Sequence, residues 1–284
     1  MFQNLITAAE LRTLIDGGHA PRILDVSFDL TDPSAGRRSY DEGHLPGATH
    51  VHLDTDLCGA KTGHNGRHPL PDRSAFADTV GRLGIGPDTQ VVVHDRQGAM
   101  YAARLWWMLR WLGHDAVAVL DGGVAAWTEA GGAMTTDAPS VAAAGAYPAV
   151  ELASNDRVAT VDADEVQKQI GKRPVVDARA GERFRGETEP LDAKAGHIPG
   201  ARNRFFKDNL DASGRFKPAA VLRDEFGALL GAHRPSAAIS QCGSGVTACH
   251  NLLAMDIAGL KGAALYPGSW SEWSSDTSRP VAVG

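Results

Sequence analysis

The stretch of this 284-residue chain best equipped for chemistry is QCGSGVTACHN, residues 241–251. Cys242 stands where an apolar run with strand character gives way to a run with helical spacing. Gly243, Ser244 and Gly245 are small enough for the backbone to curl around the sulfur, and glycine takes positive φ without strain. Successive N–H groups in such a turn, with Val246 and Thr247 opening the next helix, make a cradle that favours negative charge. A sulfur held there as an anion is a nucleophile. The competing reading is a small buried apolar residue, a common role for free cysteine.

Other chemistries fit this segment less well. GSGVTA matches a relaxed dinucleotide fingerprint, but no acidic residue ends a second strand about 20 residues further on. A cysteine phosphatase needs a phosphate-holding arginine six residues after its thiol, where this chain has Ala248. No G-x-S-x-G elbow offers a seat for a serine nucleophile. His64 and His68 have metal-pair spacing, yet Gly66 between them and Pro69 after them predict a loop rather than a zinc-binding helix. Cys249, two helical turns beyond Cys242, reads as core unless it faces the site as a resolving thiol, and Cys58 has no motif around it. The tryptophans of LWWMLRW read as core anchors.

The elements that must position this loop occur twice. GHLPGA at 43–48 recurs as GHIPGA at 196–201, each preceded by an apolar run ending in Asp, Asp25 in RILDV and Asp177 in PVVDA. QVVVHD and AAISQC follow as short strands, then helices ending near Gly113 and Gly259. His44 and His197 are 153 positions apart, Asp25 and Asp177 152, Asp95 and Cys242 147, and offsets this steady indicate duplication. Strands interleaved with helices imply an α/β fold with mainly parallel sheets. Residues 131–150, rich in Ala, Gly, Pro, Ser and Thr with one charge, read as a linker. The expected organisation is a domain at 1–132, a linker at 133–155 and a domain at 156–284, with a cleft between the two. Asp95 stands in the first half where the second has its thiol.

Composition sets outer bounds. Twenty-eight basic and 34 acidic side chains give a formal charge of -6, which supports neither a nucleic-acid footprint nor a polybasic membrane surface. Three cysteines argue against a disulfide framework and for reduced cytoplasm. No apolar run reaches transmembrane length, and the N-terminus has no export-signal pattern.

The CGSGVTA loop, both GH[LI]PGA motifs, DARAGERFRG at 177–186 and GSWSEW at 268–273 together resemble a tandem-domain sulfurtransferase of the rhodanese superfamily over essentially the whole chain. The loop is more similar to the 3-mercaptopyruvate branch than to the thiosulfate branch. The resemblance implies two rhodanese-like domains, each a mainly parallel sheet flanked by helices, the first silent because Asp95 stands at the cysteine position. It implies that Cys242 takes sulfur from 3-mercaptopyruvate or thiosulfate and passes it, as a persulfide, to cyanide or to a thiol acceptor such as thioredoxin or another small dithiol protein. It assigns Ser244 and His44 to a proton relay and Arg183 to the donor's carboxylate, and it implies no metal or organic cofactor. Three alternatives stay open. Ser244 could simply complete a small loop. The histidine motif could be structural, since both halves keep it, and neither Asp32 nor Asp41 is singled out as the acid behind His44. The protein could also carry persulfide without turnover. Arg179 and Arg185 read as surface charges balanced by Glu182 and Glu187. One departure matters: where the 3-mercaptopyruvate branch often shows a second arginine, this chain has Leu191 and Asp192 in EPLD.

Overall fold

Short apolar runs become the buried strands of two parallel sheets in the computed structural model, which describes residues 1–140, 147 and 158–284. In the first unit, β1 (Leu5–Ile6), β2 (Arg22–Asp25), β3 (Thr49–His50), β4 (Val91–His94) and β5 (Val117–Leu120) lie in the order β1-β5-β4-β2-β3, every pairing parallel. Every residue of β4 and β5 is buried, as expected of strands covered on both faces. Helices α1 (Ala8–Asp16), α2 (Ala35–Glu42), α3 (Leu53–Asp56), α4 (Arg73–Arg82), α5 (Ala102–Trp111) and α6 (Gly123–Glu129) connect them. A reciprocal Thr7–Glu10 capping box starts α1, and Trp106, Trp107 and Trp111 on α5 are core residues.

The second unit repeats this plan. Its helices are α7 (Ala163–Gln169), α8 (Gly181–Phe184), α9 (Ala219–Leu230), α10 (Thr247–Ile257) and α11 (Ser269–Ser275). Its strands, β6 (Val175–Asp177), β7 (Arg202–Asn203), β8 (Ile239–Gln241) and β9 (Ala264–Leu265), run β7-β6-β8-β9, again all parallel. An isolated parallel bridge, Thr160 to Leu265, stands where β1 pairs with β5 in the first unit. Asp177 is in register with Gln241 as Asp25 is with His94, so the duplication extends to individual backbone pairs. The second core gathers Val166, Val175, Ile198, Ile239, Trp270 and Trp273, all essentially inaccessible to solvent.

The units differ from the expected domains at two segments. Gly59–Leu70, inside the expected first domain, clusters with the second unit, and Ala212–Arg215 with the first. Much of the expected linker lies outside the described residues. No helix among the described residues is long and apolar enough to cross a membrane.

Candidate functional site

Strand β8 ends at Gln241, so Cys242 is the first residue beyond the sheet's carboxyl edge, where open α/β sheets present ligand-binding loops. Residues 241–250 are all buried, and Cys242 keeps 1% of its surface exposed. The first turn of α11 clamps the loop. The Cys242 N–H donates to Ser269 Oγ at 3.1 Å, while the carbonyls of Cys242 and Gly243 accept from Trp270 and Ser271 N–H at 3.0 and 2.8 Å. Ser269 holds φ at +52°, rare for a residue with a side chain, and its hydroxyl donates to the Tyr266 carbonyl at 2.8 Å. Gly245 has φ +78° and sits so close to the Pro267 carbonyl that a Cβ there would be 2.3 Å from its oxygen.

The first unit shows what a loop of this form holds. The Asp95 carboxylate accepts four backbone N–H bonds: Gln97 and Ala99 on Oδ1 at 2.9 Å, Tyr101 and Ala102 on Oδ2 at 2.7 and 2.9 Å. Burial pushes its carboxyl above the ordinary range, and those four donors oppose that shift. Gly98, at φ +70°, matches Gly245 in this turn. In the first unit this turn directs four N–H groups at one side chain, and in the second unit the corresponding turn begins at a thiol.

Within the second unit, Gly59–Leu70 brings groups onto the thiol loop. His68 Nδ1 lies 2.7 Å from Ser244 Oγ, and both side chains are buried. Arg67 N–H donates to Ser271 Oγ at 3.1 Å, and Gly66, at φ +84°, lies so close that a Cβ would be 2.8 Å from the Gly268 carbonyl oxygen. A Cβ on Gly243 would be 3.0 Å from an Arg67 guanidinium nitrogen and 3.5 Å from one of Arg183, so two guanidiniums lie against the residue following the thiol.

Those arginines belong to an alternating chain of charges. Arg67 pairs with Asp192, Asp192 with Arg183 (3.1 Å), Arg183 with Glu189 (2.6 Å), Glu189 with Arg179 (3.3 Å) and Arg179 with Asp177 (2.7 Å). Burial pushes the Asp192 carboxyl above the ordinary range, with Arg67 opposing. Arg179 is thus not a surface charge set against Glu182, since its side chain is 1% exposed and bound to Asp177 and Glu189. Arg185 does pair with Glu187, at 2.7 Å.

His44, expected in the relay, is held by its own motif. Its ring stacks on Tyr40 with centroids 3.8 Å apart, and its nitrogens face the carbonyls of Tyr40 (2.8 Å) and Asp137 (3.1 Å). His197 repeats the pattern, stacked on Phe184 at 3.9 Å with Nδ1 2.8 Å from the Phe184 carbonyl. In both copies the histidine locks its own motif to backbone. Asp32 and Asp41 are ion-paired to Arg38 and Arg37, which pull both carboxyls below the ordinary range.

His68, Arg67 and Ser269 are the residues that sequence reasoning missed. The loop reading of His64 and His68 holds, but a loop carries a base as well as a helix does. A usable signal was length: the stretch from Ala48 to α4 is seven residues longer than its counterpart from Ala201 to α9. Cys249 is fully buried with Sγ 3.3 Å from the Gly245 carbonyl, a core position.

Two stretches, residues 7–130 and 162–276, match the family described as Rhodanese-like domain. A Pseudomonas aeruginosa protein named "Probable 3-mercaptopyruvate sulfurtransferase" is 46% identical over 266 residues, covering 92% of each chain. A thiosulfate sulfurtransferase of Gallus gallus is 36% identical over 90% of this chain and 87% of its own. The solved 3-mercaptopyruvate sulfurtransferase from Leishmania major superposes with a TM-score of 0.82 at 31% identity, covering 96% of this chain and 74% of that one.

Proposed function

Since the chain belongs to the rhodanese family and is a sulfurtransferase, we propose that Cys242 is the atom carrier and that 3-mercaptopyruvate is the donor. The Cys242 thiolate attacks the donor's sulfur, the carbon–sulfur bond breaks, and its electrons leave on the enolate of pyruvate. The donor's thiol proton ends on that enolate carbon. Cys242 persulfide and pyruvate therefore balance the starting thiolate and donor in atoms and charge. A second thiolate then attacks the outer sulfur and regenerates Cys242, a ping-pong sequence. Gly243, Gly245, Val246 and Thr247 shape the cradle that holds the sulfur. Ser244 and His68 move the proton, in the place first assigned to His44.

The observation carrying the choice of donor is the pair of guanidiniums, Arg67 and Arg183, packed against Gly243 beside the thiol. Planar cations suit a carboxylate, which 3-mercaptopyruvate has. Arg67 thus supplies the second cation whose expected place is taken by Leu191 and Asp192. Thiosulfate, leaving sulfite, is the second donor, consistent with the Gallus gallus relative. The acceptor is a thiol, for which we propose thioredoxin or another small dithiol protein. The compartment is the cytoplasm, in keeping with three cysteines of which none is in a disulfide.

Intact-mass analysis after incubation with either donor should show one added sulfur, absent in Cys242→Ser. Arg183→Ala and Arg67→Ala should each lower kcat/KM for 3-mercaptopyruvate about 10- to 100-fold, the worth of one charge-assisted hydrogen bond. Unchanged constants in both would remove the arginines from the site.

A further inference from the structure

The two arginines proposed to receive the donor are already occupied by the protein's own carboxylates. Arg67 is 28% exposed at the outer end of the alternating chain, while the Asp192 side chain beneath it is 3% exposed and spans Arg67 and Arg183 together. The chain holds three guanidiniums, Arg67, Arg179 and Arg183, and three carboxylates, Asp177, Glu189 and Asp192. It is neutral before a donor arrives. Adding an anionic donor would leave excess negative charge beside a sulfur anion, in a partly desolvated place where like charges repel strongly.

The packing also indicates that this arrangement is a resting one. The Nε–H groups of Arg67 and Arg183 are shut off from solvent with no acceptor among the described residues, and such orphaned donors are costly. Asp177 and Glu189 are fixed deeper, Asp177 by three contacts from Arg179 and Glu189 by Arg179, Arg183 and the Leu191 N–H. Asp192 binds only through the two arginines nearest Gly243 among the contacts seen, and its neighbour Leu191 is exposed.

We infer that Asp192 is a built-in stand-in for the donor's carboxylate, holding Arg67 and Arg183 until a carboxylated donor displaces it. This inference rests on the sulfur-transfer reading and deepens it. Asp192 makes the site self-inhibited: donor affinity is the difference between two carboxylates competing for the same guanidiniums, which weakens binding of any single-carboxylate ligand. Burial pushing the Asp192 carboxyl up fits a group poised to leave its partners, with Arg67, Arg179, Arg183 and Glu189 as the charges around it.

The test is Asp192→Asn, which keeps the shape and removes the charge. KM for 3-mercaptopyruvate and the inhibition constant of pyruvate, used as a plain carboxylate probe, should fall together by about tenfold, the worth of one charge-assisted contact no longer displaced. A role confined to bracing the loop would move both constants upward or not at all, and either result overturns the inference. Should the Asn variant fail to fold, Asp192→Ser answers by the same two constants. Absence of a Cys242 persulfide in the wild type overturns the sulfur-transfer reading and this inference with it. A persulfide with unchanged constants overturns only the role of Asp192.

Discussion

Ser269 and Gly123 occupy the same place in the two repeats, following the glycine that ends LDG in one and YPG in the other. Gly123 takes φ +56° without cost, because it has no Cβ to clash with the Asp95 carbonyl; Ser269 takes φ +52° with a side chain. What keeps a serine there is its hydroxyl, which joins the Cys242 N–H to the Tyr266 carbonyl. Ser269→Ala should therefore retain the strain and lose the tether, at about 1–2 kcal/mol and with slower persulfide formation in stopped-flow. Ser269→Gly should be milder, since it relieves φ. The two histidines separate by the same logic. His68→Ala should lower kcat about 100- to 10,000-fold with little change in thermal midpoint, the range for loss of general acid–base help. His44→Ala should lower the midpoint and spare kcat per folded molecule. At this scale the sequence singled out Cys242 and Asp95 by a fixed offset between repeats, and Arg183 by its resemblance to a family motif. It hid His68 and Arg67, which lie in a segment that one repeat has in longer form and whose contacts, to Ser244 and Ser271, are more than 170 positions away.

Elements were more legible than their partners. The strands at Arg22–Asp25, Val91–His94, Val175–Asp177 and Ile239–Gln241 follow from short apolar runs, and α5 and α10 from helical spacing ended near Gly113 and Gly259. The assignment of Gly59–Leu70 to the second unit was not, because no local pattern says which core a loop rests on. The β8–α10 connection shows how tightly an element junction can be specified. Gly245 combines positive φ with an approach to the Pro267 carbonyl that leaves no room for a methyl group. Gly245→Ala must therefore shift either the thiol loop or the segment entering α11. A loss of roughly 2–4 kcal/mol is expected, from left-handed strain plus overpacking. Chemical denaturation measures that loss, and a fall in persulfide yield on the folded fraction would show that the cradle itself has moved.

Across the whole molecule the duplication is unequal in its buried charges, and pH exposes the difference. His94 and Gln241 occupy equivalent positions, each in register with the aspartate that ends the neighbouring strand. In the second unit Asp177 is neutralised by Arg179. In the first unit Ser27 stands in place of that arginine, and His94 is fully buried with no hydrogen-bond partner on either ring nitrogen among the described residues. Burial lowers its pKa, with Asp25 and Asp95 opposing and Arg96 and His44 assisting. Burial likewise lowers His50 and His114, both in the first unit. A histidine depressed in the folded state binds fewer protons there than when unfolded. Its contribution is present above the unfolded value of about 6.5, and it is lost as pH falls through that value toward the folded one. For His94 alone the slope is about 1.4 kcal/mol per pH unit within that window. The first unit should therefore open first on mild acidification, read as hydrogen exchange accelerating in β2, β4 and β5 before β6 and β8. His94→Gln, borrowing the residue of the other repeat, removes the titrating ring and should flatten that acid dependence. An unchanged pH profile in this variant would mean that another group drives acid opening of the first unit.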